Sequence, residues 1–180
     1  MKYILTRHCE TDWNTAGRMQ GWTDIPLNEA GQRQAVALAD LLRPYHCAII
    51  ISSDLLRAKE TAAMIASALG IPMRTDARLR ECRFGRLEGS TRREIAQNHG
   101  PAIQSVLTHY NDYDFTGFGG ESRDQVLRRH LALLDEIKRA NPDGLPLLVG
   151  HGRGLNTLLN HCMPSEHPRL ERGGYRVLEY

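Results

Sequence analysis

Nowhere do the 180 residues of this chain approach the roughly 18 uninterrupted apolar residues of a membrane helix, so a helical membrane span is excluded. Cysteine is sparse: Cys9, Cys47, Cys82 and Cys162 show no Cys-x-x-Cys spacing, and neither a zinc site nor a disulfide framework is expected. A formal net charge of +2 is too small to point to nucleic acid. A signal-peptide pattern is missing as well, because Met1-Lys2 runs straight into an apolar strand-like segment; a cytoplasmic location is the expectation. There are no internal repeats and no low-complexity linkers. The length fits one domain, 1–180, with 41% hydrophobic and 24% charged residues to build an ordinary core and surface.

What the chain does have is alternation. Short apolar runs at 3–6, 48–52 and 145–150 read as buried parallel strands. Helical patterns lie between them. Asn28 can cap a helix to about Arg43, with Pro44 as its stop and Ala35, Leu38, Ala39 and Leu42 facing the sheet. Ser53 or Asp54 can cap a second helix through Leu69, closed by Gly70. A third spans about Ser122 to Ala140 before the turn-forming Asn141-Pro142-Asp143-Gly144, and a fourth runs from Gly152 to about Cys162. The run 175–180 reads as an edge strand. The predicted fold is therefore α/β, a three-layer α/β/α sandwich with a mostly parallel sheet. The segment of about 83–120 breaks the alternation with two short helical patterns, at 91–99 and 101–110, and a glycine-rich stretch. Irregular connections of that length are more often functional than idle.

The chemistry gathers at strand ends. Arg7-His8 ends the first strand, on the side where α/β sheets bind ligands. A guanidinium grips phosphate oxygens in a fixed fork, and an imidazole beside it can attack phosphorus. Arg78, Arg80, Arg83, Arg86, Arg92 and Arg93 fall in one short stretch that could raise positive potential for an anionic substrate or form a solvated face.

Four ordered segments carry a resemblance across nearly the whole chain. They are Arg7-His8-Cys9-Glu10-Thr11-Asp12-Trp13-Asn14 with the run from Gln20-Gly21-Trp22-Thr23 through Leu27-Asn28-Glu29-Ala30-Gly31 to Ala35 following; Ser52-Ser53-Asp54-Leu55-Leu56-Arg57-Ala58-Lys59-Glu60-Thr61-Ala62; Leu79-Arg80-Glu81-Cys82-Arg83-Phe84-Gly85-Arg86-Leu87-Glu88-Gly89; and Leu147-Leu148-Val149-Gly150-His151-Gly152. Together they resemble the histidine phosphatase superfamily, the phosphoglycerate mutase-like group. Cys9 stands where that group usually has glycine, a residue that permits close backbone approach and positive φ.

The resemblance implies a metal-independent, cofactor-free phosphomonoester hydrolase acting on a small phosphorylated metabolite. His8 would be the nucleophile, forming a phosphohistidine. Arg7, Arg57 and His151 would bind the phosphoryl oxygens, and Glu81 would serve as general acid and then base. Asn14, Gln20 and Gly152 match pocket positions, and the insertion would cap the site. Plainer alternatives are a surface Arg57 paired with Glu60 or Glu29, a solvent-facing Glu81, and a His151 satisfied by backbone. Two rival functions stay open: a phosphoglycerate mutase and a catalytically weak phospho-ligand binder. Mutases of the group are longer between acid and second histidine and carry a closing C-terminal tail, whereas this chain ends on its last strand; Phe118-Gly119-Gly120-Glu121-Ser122 resembles the phosphatase branch. Cys9 and Cys82 flank His8 and Glu81, so arginine-activated, oxidisable thiols at one pocket mouth are a further expectation, against which stands inert packing.

Overall fold

The computed structural model describes residues 1–100, 103, 113–164, 166 and 169–180. Five strands form one sheet in the order β3-β2-β4-β1-β5. They are β1 (Lys2–Arg7), β2 (Cys47–Ser52), β3 (Met73–Thr75), β4 (Leu145–Gly150) and β5 (Tyr175–Glu179). The first four neighbours in that order run parallel, and β5 pairs antiparallel with β1 at one edge.

The three central strands, β2, β4 and β1, are apolar on both faces, as a doubly covered sheet requires. Successive side chains point to opposite sides, so Ile4, Ile50, Leu147 and Val149 enter one core while Tyr3, Leu5, Ile51 and Leu148 enter the other. Helices α2 (Glu29–Leu42) and α3 (Leu56–Leu69) cover the first face, through Ala35, Leu38, Ala39 and Leu42 and through Ala58, Ala62 and Ile65. Helices α5 (Arg123–Ala140) and α6 (Gly152–Cys162) cover the second with Leu133, Leu134, Ile137, Leu155, Leu158 and Leu159. Each fully buried leucine contributes about 1.5–3 kcal/mol relative to exposure. The α/β/α layering is thus the physical result of strands too apolar to leave either face wet. No helix among the described residues is long and apolar enough to cross a membrane.

Most expected boundaries hold, with departures that have local causes. Asn28 caps α2 by accepting from the Gly31 amide, and Pro44 ends the helix inside a 3-10 turn (Arg43–Tyr45). The expected cap of α3 by Ser53 or Asp54 is wrong: the helix starts later, with Leu55 at the cap position. Ser53 Oγ accepts from the Leu55 amide, Asp54 is drawn away to Arg80, and the Leu56 amide is capped by Asp24 from a distant loop. Two short elements escape periodicity altogether: β3, three residues long, and α1 (Asp12–Thr15), one turn held by a Thr11–Asn14 capping box.

The 83–120 segment packs Phe84, Leu87, Ile95, Ile103 and Phe115 against Met19, Cys82 and Val126 in a third apolar cluster. Helix α4 (Arg92–His99) is its regular element, capped by Thr91. Phe84 and Phe115 meet edge-on at 4.9 Å. The expected helix over 101–110 lies outside the described residues apart from Ile103.

Candidate active site

Topology makes the site. Placing β4 beside β1 in parallel register pairs Arg7 with Gly150, and the His8 amide donates to the Gly150 carbonyl at 2.9 Å. The two histidines that follow these strands, far apart in sequence, therefore stand side by side with ring centroids 5.1 Å apart. Both are buried, His8 3% and His151 0% exposed.

His8 Nδ1 lies 2.7 Å from the Cys9 carbonyl oxygen. A carbonyl only accepts, so Nδ1 carries the proton and Nε2 keeps its lone pair. Burial first, then the Arg57 and Arg7 charges, with Arg172 adding to them, hold the imidazole well below its ordinary 6.5 despite the Cys9 bond. A neutral, tautomerically fixed imidazole results. His151 is held low for the same reasons, burial foremost and then Arg57 and His8. Neither of its ring nitrogens has a hydrogen-bond partner among the described residues, contrary to the alternative of a backbone-satisfied histidine. A buried, unmatched ring is costly unless a ligand completes it.

Arg57, in the first turn of α3, is 1% exposed rather than on the surface. Its guanidinium donates to the Gly21 carbonyl at 2.7 Å and the Thr23 carbonyl at 2.9 Å. The alternative partners are occupied elsewhere: Glu60 accepts from the Leu27 amide, and Glu29 pairs with Arg33. Arg7 lies against the first residue of α6. A Cβ built at Gly152 would sit 2.8 Å from Arg7 Cζ and 3.0 Å from Nε, so only glycine leaves this guanidinium its place. Gly152→Ala is accordingly expected to displace Arg7 and raise KM for phosphate esters roughly tenfold or more, a loss of at least ~1.4 kcal/mol in binding. An unchanged KM with an unchanged fold would remove Arg7 from the phosphate site.

Glu81 is buried, not solvent-facing, at 7% exposure. Its Oε1 accepts from the Cys82 and Gly154 amides at 2.8 and 2.9 Å, and Oε2 from the Arg153 amide at 3.2 Å. The N-terminal amides of α6, directly after His151, thus orient the carboxylate. Asn14 spends its carbonyl oxygen on the Thr11 amide and hydroxyl, which leaves its NH2 as the outward donor. Gln20 is buried with an unmatched Oε1.

The arginine-rich stretch is less available than its charge suggests. Arg78 is tied to Asp76 and Glu136, each at 2.7 Å, and Arg80 chelates Asp54. Arg83 stacks over Trp22 at 5.4 Å. The expectation of activated thiols is overturned. Cys9 packs in the α2/α3 core and Cys82 in the third cluster; burial pushes their thiols up to about 11 and about 12, against a Thr61 hydrogen bond at Cys9 and the Arg153 and Arg129 charges at Cys82. Cys9 does not adopt positive φ, and its amide donates to Thr61 Oγ1, so it fits where a glycine was expected.

Sequence reasoning missed several residues around these groups. Glu88 accepts from the Thr23 amide and hydroxyl and from the Phe84 amide, locking the Gln20–Thr23 loop onto the insertion. Arg129 binds the segment carrying Glu81. Glu88 lies within the Leu79–Gly89 resemblance segment but is given no role there, and Arg129, mid-helix, lies outside every such segment.

The three buried histidines also set a pH dependence. His130, like His8 and His151, is pushed down by burial, to about 3. The unfolded chain binds these protons near 6.5, and the folded chain does not. Stability is therefore fully present above about 6.5 and is lost as pH falls toward the folded values, by up to ~1.4 kcal/mol per pH unit for each histidine. His130→Leu should flatten the dependence of urea-unfolding free energy on pH between about 4 and 6 by one such increment. An unaltered slope would mean His130 titrates normally.

Comparison with known proteins gives the chain's family and the fold it shares. The chain is 38% identical over 157 residues to a metal-independent phosphoserine phosphatase of Arabidopsis thaliana, covering 86% of this chain and 66% of that protein. It thus spans just under two thirds of that relative. It is likewise 38% identical over 160 residues to a probable phosphoglycerate mutase of Yersinia pestis, covering 89% and 74% of the two chains. Its fold superposes on a mycobacterial glucosyl-3-phosphoglycerate phosphatase bound to VO3 with a TM-score of 0.87 at 30% identity, covering 99% and 90%. YhfR of Bacillus stearothermophilus gives 0.87 at 32% identity with the same coverage. The model of the histidine phosphatase superfamily, branch 1, matches residues 3–177, and the chain belongs to that family.

Proposed function

We propose that the protein is a metal-independent phosphomonoesterase that works through a phosphohistidine on His8. The observation that carries this reading is the His8 ring: neutral by burial, with Nδ1 donated to Cys9 and Nε2 left as a lone pair beside Arg7, Arg57 and His151. His8 Nε2 attacks phosphorus as the ester P–O bond breaks, and Glu81 delivers its proton to the departing oxygen. Water then attacks the phosphohistidine, Glu81 takes back a proton, the P–N bond breaks, and inorganic phosphate leaves. Two permanently charged guanidinium groups and a third donor, His151, neutralise the equatorial oxygens, the work a divalent cation does elsewhere. The Arabidopsis relative's name supports independence from metal. Among the phosphatase-named relatives the substrates differ, and a small phosphorylated metabolite is the shared class.

A nitrophenyl phosphate assay with and without chelator tests the reading, run beside an assay for exchange between 2- and 3-phosphoglycerate. Chelator-resistant hydrolysis is the expected result. Exchange without hydrolysis would instead make the protein a mutase, as one set of relatives is named, and neither activity would leave a phospho-ligand binder. The acid role has its own signature. Glu81→Gln should lower kcat/KM for alkyl phosphates by roughly 10²–10⁴-fold, the usual range for a positioned acid, yet barely change it for nitrophenyl phosphate, whose leaving group needs no proton. Equal losses for both would make Glu81 structural.

A further inference from the structure

The sequence Leu79–Cys82 has no regular structure of its own to hold Glu81 in place beyond a 3-10 turn at Ala77–Leu79. Helix α5 supplies the missing support. Arg129 NH1 donates to the carbonyls of Arg78 and Arg80, and NH2 donates to the Glu81 carbonyl at 2.8 Å. The same guanidinium is gripped from behind by Glu121, with Nε–Oε1 and NH2–Oε2 both 3.0 Å. Glu121 continues the clamp past the acid: its Oε2 accepts from the Arg83 amide, and its own amide donates to the Arg83 carbonyl, each at 2.8 Å. The ion pair is mostly shielded, at 15% and 16% side-chain exposure. Among the described residues, every main-chain group that the two side chains hold belongs to residues 78–83, the segment around Glu81. The next residue on α5, His130, abuts Gly154, whose amide holds the Glu81 carboxylate.

We infer that Arg129, locked by Glu121, is a positioning residue of the general acid: with Trp22 Nε1, which also donates to the Glu81 carbonyl, and the α6 amides on the carboxylate, it sets where that carboxylate meets the leaving oxygen. The inference rests on the acid–base reading of Glu81. A planar fork with five donors can bind three carbonyls and a carboxylate at once, and a lysine ammonium cannot. An acid must lie within about 2.6–3.2 Å of the oxygen it protonates, and a misplacement of about 1 Å costs on the order of 10²-fold.

The test is Arg129→Lys, compared with Glu81→Gln on alkyl and nitrophenyl phosphates. kcat/KM reports only steps through leaving-group departure, whereas kcat also includes dephosphorylation, where Glu81 acts as base. Arg129→Lys should therefore lower kcat/KM for the alkyl ester by roughly 10²-fold and leave it within a few-fold for nitrophenyl phosphate. With the aryl ester kcat should fall, a burst of nitrophenol should appear, and quenched phosphohistidine should rise above the wild-type level. A general loosening of the fold would lower both kcat/KM values alike and give no burst. If Glu81→Gln discriminates between the esters and Arg129→Lys does not, or behaves as wild type, the inference is wrong. If Glu81→Gln itself fails to discriminate, the acid–base reading falls first and this inference with it. Should Arg129→Lys not fold, Glu121→Gln, which keeps shape and loses the charge gripping the guanidinium, carries the same comparison.

Discussion

His8→Ala is expected to lower kcat by on the order of 10⁴-fold or more, as removal of a covalent nucleophile does, while the protein stays folded and still binds phosphate. The distinction follows from the geometry. Arg7, Arg57 and His151 remain on their own elements, and the His8 main-chain amide keeps its bond to Gly150. Truncating the buried ring leaves a small cavity, a stability cost of about 1–3 kcal/mol. Wild-type enzyme quenched during turnover should carry acid-labile, base-stable phosphate, and the variant none. Titration with inorganic phosphate should show both proteins binding it within about tenfold. Turnover near the wild-type rate in His8→Ala would end the phosphohistidine reading.

Arg57→Ala should fail differently, raising KM and lowering kcat together for every substrate whatever its leaving group. On the proposed reading its charge meets the phosphoryl oxygens in both the ground state and the transition state, and losing one such donor commonly costs about 10²–10³-fold in kcat. There is a second cost. The Gly21 and Thr23 carbonyls would lose their partner inside the protein, at roughly 1–3 kcal/mol for each buried orphan. Thermal unfolding should thus shift down by several degrees in Arg57→Ala and less in Arg57→Lys, which keeps a donor but not the fork. A loss that varied with leaving group would assign Arg57 to proton transfer or its support and not to phosphate binding. Undiminished stability would contradict the buried contacts.

These expectations draw on two kinds of information. The strands at 3–6, 48–52 and 145–150 were legible because a doubly covered sheet needs continuous apolar runs. Asn28 and Gly70 were legible because caps and left-handed termini demand particular side chains. Arg7, His8 and His151 stood out as polar residues at abrupt strand ends. Cap positions fail where the partner is remote, as with Asp24 on the Leu56 amide: nothing local at Ser53 or Asp54 announces that the helix will wait for it. Short elements such as β3 and α1 offer too few residues for a period to register.

The amino-acid order by itself determined the α/β class, the family, and the inventory of charged and nucleophilic groups. Only the tertiary structure decided their states. Burial makes His8 neutral and fixes its tautomer through the Cys9 carbonyl, and it turns Cys9 and Cys82 into quiet packing groups where neighbouring arginines suggested reactive ones. The long-range clamp of Arg129 and Glu121 on the Glu81 segment joins residues 38 or more positions apart and has no counterpart in local pattern. The physical reason is the same in each case. Desolvation and hydrogen-bond partnership depend on what surrounds a group in space, and sequence neighbours report little of that.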